Sequence, residues 1–170
     1  MSRSPARPAP TALAVDVVVD SALWKAQRGV DPMLRRAVVA AASAVSTIDG
    51  ELAIVLTDDA AIRALNRDWR GQDEPTNVLS FPAKAPRATR SARRMLGDIV
   101  IAYETAAREA EAEDKPLVHH VAHLAVHGFL HLVGYDHAAK EEADAMEGLE
   151  VAILARLDIP NPYLMRDAEA

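Results

Sequence analysis

The chain has 170 residues and a formal net charge of −6; half of its residues are hydrophobic, 26% are charged and none is cysteine. This composition is typical of a globular domain with a real core, and it excludes disulfides, thiolate metal sites and a uniformly basic surface. No apolar run approaches the ~18 residues of a membrane span, so we expect a cytoplasmic protein without membrane contact, most simply a monomer.

Four short segments rich in aliphatic and β-branched residues are predicted to be strands, at residues 12–19, 51–56, 78–81 and 97–102. A polar loop at 71–76 precedes the third strand. A basic loop at 83–95, which lacks apolar periodicity, separates the third strand from the fourth.

Five helices are predicted around these strands. The first has Asp31 as its N-cap and Pro32 at its first helical position, and it runs to about residue 45. The second is capped by Thr57 or Asp58 and reaches about residue 69. The other three end near residue 113, run from Pro116 to the region of Gly134, and span about 140–157.

Alternating strands and helices predict an α/β fold: a single layered domain in which helices surround a small, mostly parallel four-stranded sheet. We expect this domain to span residues 11–163. The first ten residues contain three prolines and two arginines and are predicted to be a disordered tail, and residues 164–170 a short C-terminal tail.

All six histidines lie between residues 119 and 137. His127 and His131 are four residues apart on the predicted helix and therefore project from one face. Gly134 allows the chain to reverse, which can bring His137 back to them. Three imidazoles with an open fourth position are typical of a catalytic zinc site, so we predict one zinc ion on this helix and the loop after it.

The spacing of these histidines matches the long zincin protease motif, with one difference. Zincin proteases carry a general-base glutamate directly after the first histidine, and here that position is Gly128. A peptidase is therefore disfavoured. The remaining histidines favour packing or supporting roles, with His123 on the same stripe and able to flank the metal or a substrate.

Several segments together resemble the YbeY family of bacterial endoribonucleases. They are residues 66–82 (NRDWRGQDEPTNVLSFP), 97–101 (GDIVI), 127–137 (HGFLHLVGYDH), 146–147 (ME) and 161–163 (NPY). The resemblance covers roughly residues 50 to 163. It implies an α/β fold, one zinc ion, and single-strand-specific cleavage in ribosomal RNA maturation, especially at the 3′ end of the small-subunit RNA, and in ribosome quality control. The implied partners are ribosomal RNA, the small ribosomal subunit and assembly factors.

By motif position, His127, His131 and His137 correspond to the family's zinc ligands, and Arg70 corresponds to its functionally important arginine. A guanidinium suits the negative charge that develops on an attacked phosphodiester, whereas the commoner role of an arginine is a surface salt bridge. His127 and Arg70 are thus the catalytic candidates.

Other polar residues leave alternatives open. Thr76 and Asn77 either hold a turn, which we favour, or line the cleft. Asp98, expected at a strand start, either orients a ligand or caps structure. Asp136 either accepts a hydrogen bond from a ligand imidazole or fixes the loop. Five cations without an acid between them either form a solvated surface or bind RNA phosphates; they are Lys84, Arg87, Arg90, Arg93 and Arg94.

Three functions therefore compete. The first is a zinc-dependent RNA hydrolase, and the second is a ribosome-assembly factor whose zinc shapes an RNA-binding surface with slight nuclease activity. The third is the disfavoured metallopeptidase. No residue is singled out by spacing as the general base.

Overall fold

The computed structural model describes residues 13–46, 49–83 and 94–164. In chain order the elements are β1 (Leu13–Val19), a short 3-10 helix (Ala22–Trp24), α1 (Val30–Ala44), β2 (Gly50–Thr57), α2 (Asp59–Arg70), β3 (Val78–Pro82), β4 (Met95–Ala102), α3 (Tyr103–Ala112), α4 (Leu117–Leu132) and α5 (Lys140–Ala155).

The four strands form one sheet in the order β1-β2-β4-β3. β1 pairs with β2 and β2 with β4 in parallel, whereas the edge strand β3 is antiparallel to β4, with Ser80 opposite Ile99. The predicted α/β fold with a small, mostly parallel four-stranded sheet is therefore confirmed.

Alternation along β4 divides the core between the two faces of the sheet. Ile99 and Ile101 point into the larger cluster, which packs against α1, α4 and α5. Val100 and Ala102 point the other way, into a smaller cluster with Ile62 of α2. Helix α4, which carries the histidines, thus lies on the opposite face of the sheet from α2.

Most predicted elements are present, but the start of the first helix was predicted wrongly. Helix α1 begins at Val30 with Gly29 as N-cap, because the Val30 side chain is buried in the core. The carboxylate of Asp31 binds Nε of Arg35 at 2.6 Å instead of capping the helix. Asp58, by contrast, caps α2 by accepting a hydrogen bond from the N–H of Ala61 at 2.9 Å.

Two further expectations concern the chain outside regular structure. Met95, predicted in the basic loop, belongs to β4. The predicted tail at 1–10, residues 165–170 and most of the basic loop lie outside the described residues. Among the helices that the structure describes, none is both long and apolar enough to cross a bilayer.

Candidate metal centre

Helix α4 carries four histidines on one stripe: His120, His123, His127 and His131. Spacings of three and four residues place side chains on one face of an α-helix, so the stripe follows directly from the sequence. The opposite side of the helix is apolar and packs on the sheet, which leaves the histidine stripe facing α3, α5 and residues 159–164.

At the C-terminal end of α4 the three predicted imidazoles come together. The ring centroids of His127 and His131 are 4.6 Å apart, and that of His137 lies 5.0 Å from His131 and 5.8 Å from His127. Gly134, at φ 103°, lets the chain turn back after the helix, in a conformation that other residues rarely adopt.

In the imidazoles of His127 and His131, the hydrogen bond made by Nδ1 determines whether Nε2 carries a proton or a lone pair. Nδ1 of His127 lies 2.5 Å from Oε1 of Glu150, and Nδ1 of His131 lies 2.9 Å from the carbonyl oxygen of Tyr135. A carboxylate and a carbonyl only accept hydrogen bonds, so in each neutral ring Nδ1 carries the proton. The two Nε2 atoms therefore present lone pairs to each other, 3.1 Å apart.

Two facing lone pairs repel unless a cation or proton lies between them, so this arrangement fits a metal ion. A tetrahedral zinc ion with Zn–N distances of about 2.0–2.1 Å separates its ligand atoms by about 3.3 Å. Burial, followed by the charge of the neighbouring His127, lowers the pKa of His131, which keeps this ring neutral and able to ligate at neutral pH.

Asp136 is a second candidate ligand. His131, Asp136 and His137 have potential ligand atoms that all lie within 4.8 Å of one another, so these three residues could also hold a metal. However, Oδ1 of Asp136 accepts a hydrogen bond from the backbone N–H of His137 at 2.7 Å, which also lowers the pKa of Asp136. This contact corresponds to the loop-fixing alternative, and the same Oδ1 also lies 3.5 Å from Nδ1 of His137, as the alternative of a partner for a ligand imidazole expects.

Glu150 is a site residue that the sequence analysis missed. It lies on α5, is fully buried, and contacts His123 at 3.1 Å, His127 and the hydroxyl of Tyr163. Burial alone would raise the pKa of this carboxyl, but the hydrogen bonds from His123 and His127 outweigh it and lower the pKa to about 2. Its signal in the sequence is a single acid within an apolar run, Leu149-Glu150-Val151-Ala152-Ile153-Leu154.

A cavity of about 880 Å³ extends from His127 along the stripe towards the start of α4. His123 lines it, and so does His120, whose Nε2 faces Glu109 at 3.5 Å. Asn77 serves both of its predicted alternatives: its Oδ1 accepts from the N–H of Val78 at 2.7 Å, holding the turn, and its Nδ2 donates to Glu109 at 2.9 Å on the cavity wall.

Gly128 faces the sheet and not the cavity. A Cβ at this position would lie 2.9 Å from Cγ2 of Ile99 and 3.0 Å from Oγ of Ser80, which itself donates to the carbonyl of Gly128 at 3.0 Å. The glycine thus allows close packing of α4 on β3 and β4. A side chain at this position would be directed into the sheet.

The remaining candidates are not in contact with the three imidazoles. Arg70 is the last residue of α2 and is exposed. Its side chain makes no hydrogen bond or ion pair with any residue that the structure describes (13–46, 49–83 and 94–164). Asp98 is the fourth residue of β4, so its predicted position at a strand start is wrong. It lines a cavity on the α2 face of the sheet together with Val100. Of the five loop cations only Arg94 is described, and it is exposed.

Comparison with known proteins gives a consistent result. The family model described as Endoribonuclease YbeY matches residues 24–158. Endoribonuclease YbeY of Rhodopseudomonas palustris (strain BisA53) is 56% identical over 158 residues, covering 91% of this chain and 92% of the relative. That of Bradyrhizobium sp. (strain BTAi1) is 52% identical over 168 residues, covering 96% and 98%. The solution structure of TM1509 from Thermotoga maritima shares the fold, with a TM-score of 0.55 at 20% identity, over 85% of this chain and 91% of that one.

Proposed function

This chain belongs to the Endoribonuclease YbeY family, which supports an endoribonuclease activity, and from that membership we propose a zinc-dependent, single-strand-specific enzyme of ribosomal RNA maturation. Its substrate is the 3′ end of the small-subunit RNA, and it also acts in ribosome quality control. We place it in the cytoplasm, as a monomer working with the small ribosomal subunit and assembly factors.

The observation that carries this proposal is the pair of Nε2 atoms of His127 and His131, 3.1 Å apart with both Nδ1 atoms engaged elsewhere. With the nearby ring of His137 they offer three nitrogen ligands and leave a coordination position for solvent or phosphate. Imidazole donors without any thiolate suit zinc.

Zinc held by these residues would polarise a phosphoryl oxygen or supply hydroxide from bound water near neutral pH. We assign to Arg70 the stabilisation of the charge that builds on the attacked phosphate, because a guanidinium matches two phosphate oxygens at once. Its exposure leaves it accessible to RNA, and its assignment rests on its motif position. The cations at 84, 87, 90, 93 and 94 are proposed to bind the RNA backbone.

The alternative is a ribosome-assembly factor that binds RNA through the same zinc-shaped surface and has little nuclease activity. A metallopeptidase receives no support from the structure, because position 128 is directed into the sheet and cannot carry the general base.

The test is cleavage of a defined small-subunit RNA precursor that retains a 3′ extension, together with the zinc content of each protein. Arg70→Ala should lower cleavage by about 10²–10³-fold and retain zinc, as expected for loss of one group that stabilises transition-state charge. His127→Ala should lose zinc and cleavage but still bind RNA. Arg36→Ala, an exposed arginine on α1, is the matched control and should cleave as the wild type does.

Two outcomes would contradict this function. Cleavage that persists in metal-free His127→Ala would identify a contaminating ribonuclease as its source. A zinc-loaded wild type that binds the precursor without cutting it would support the assembly factor instead.

A further inference from the structure

We propose that Glu150 is a positioning residue for the metal centre: its carboxylate fixes His127 in the tautomer that leaves Nε2 free to bind the ion. This inference rests on the proposed zinc function. Glu150 lies on α5 and outside the motifs that carry the family resemblance, and it is fully buried beside the imidazole that it contacts.

The two oxygens of this carboxylate have different partners. Oε2 accepts from Nε2 of His123, at 3.1 Å, and from the hydroxyl of Tyr163. Within the described part of the chain, the hydrogen bond of Oε1 is with Nδ1 of His127, at 2.5 Å. His123 and Tyr163 therefore hold the carboxylate in place from two other segments of the chain, and its remaining oxygen is left to orient His127.

The tautomer of a ligand imidazole is set by the hydrogen bond that its other nitrogen makes. An acceptor at Nδ1 keeps the proton there, so Nε2 is ready to ligate without first losing a proton. A carboxylate in this position also makes the imidazole a stronger donor to the metal. The contact of Glu150 with His127 meets both conditions.

A purely structural role for Glu150 predicts something different. In that case its replacement would change the stability of the fold and leave the tautomer of His127 and the affinity for zinc as they were. Glutamine separates the two cases, because it keeps the shape of the side chain but has one acceptor oxygen in place of two. Three donors, from His123, His127 and Tyr163, would then compete for that oxygen.

The experiment uses the full chain, stripped of metal with a chelator and compared as wild type, Glu150→Gln and Glu142→Gln. Glu142 is exposed on the same helix, so its variant controls for the loss of one charge from α5. Zinc affinity is measured by competition with a chromophoric chelator. The tautomer of His127 is read from the ¹⁵N shifts of its ring nitrogens in the metal-free protein at mildly alkaline pH.

We expect the proton of His127 on Nδ1 in the wild type and in Glu142→Gln. Glu150→Gln should weaken zinc binding by roughly 10–100-fold, the loss typical when the partner of a ligand histidine is removed. A wild-type proton on Nε2, or equal affinity in Glu150→Gln and the wild type, would overturn the proposal. If the wild type binds no zinc, the proposed function fails and this inference with it; if the wild type binds zinc and Glu150→Gln binds it equally well, only the role of Glu150 fails. The tautomer of the wild type tests the proposal without any variant, because a proton on Nε2 overturns it.

Discussion

The two halves of helix α4 carry the same residue type on the same stripe, yet they use it in opposite ways. In the first half, His120 and His123 direct Nε2 at carboxylates and are largely buried. In the second half, His127 and His131 are held through Nδ1 and direct Nε2 at each other. The choice of nitrogen, and not the presence of histidine, distinguishes a structural pair from a candidate ligand pair.

The largest expected effect comes from removing one ring from each half. His131→Ala should weaken zinc binding by more than about a hundredfold, since it removes a proposed ligand and not merely the partner of one. His120→Ala should keep the zinc affinity and instead lower the free energy of unfolding by about 1–3 kcal/mol, because the half-buried carboxylate of Glu109 loses a buried partner. Chelator competition and urea denaturation measure the two quantities. Equal loss of zinc in both variants would erase the distinction between the halves.

A smaller effect is expected at Gly128, which lies between the two halves on the sheet-facing side. Gly128→Ala should lower the free energy of unfolding by about 1–3 kcal/mol, because the added methyl group meets Ile99 and Ser80 in a closely packed interface. Gly148→Ala is the matched control: a Cβ there meets nothing within 4 Å, so it should stabilise α5 by up to about 1 kcal/mol. Stabilisation by both changes in urea denaturation would disprove the close approach of α4 to the sheet.

The smallest effect is a pH dependence in the first half. Burial alone would raise the pKa of Glu109, but hydrogen bonds from His120 and Asn77 outweigh it and lower the pKa below 4.5. The ionised carboxylate of Glu109 therefore stabilises the fold above about pH 4.5. This stabilisation is lost as the pH falls through the lowered pKa of Glu109 in the folded protein.

The measurement is the difference in unfolding free energy between wild type and Glu109→Gln across that range. The difference should be constant from neutral pH down to about 4.5 and shrink below it. Glu111→Gln, exposed on the same helix, controls for the loss of a charge from α3. A difference that does not shrink in acid would show that the ionised form of Glu109 is not favoured by folding.

Local signals in the sequence were sufficient for much of the fold. Runs of β-branched and aliphatic residues are sufficient to locate all four strands, and of the two predicted caps of α2, Thr57 and Asp58, the structure selects Asp58. The spacing of His127, His131 and Gly134 was enough to predict that three rings could converge, since helix periodicity and a left-handed glycine are local properties.

The failures have a common cause in tertiary packing. Val30 is drawn into the core and moves the start of α1 away from Asp31, and strand β4 extends beyond Asp98 on the N-terminal side. Glu150 was missed because its partners lie 23 and 27 residues before it and 13 after it. No periodicity within one element brings such residues together.

The close contact at Gly128 also bears on how this scaffold could change over evolutionary time. Replacing Gly128 with glutamate would complete the zincin motif in the sequence. The new side chain, however, would be directed at β3 and β4 and would not fit between α4 and the sheet. Acquiring peptide hydrolysis would therefore require changes in β3 and β4 that make room for the new side chain. The tight fit of a helix on its sheet thus acts as a barrier between two chemistries whose sequence signatures differ at one letter.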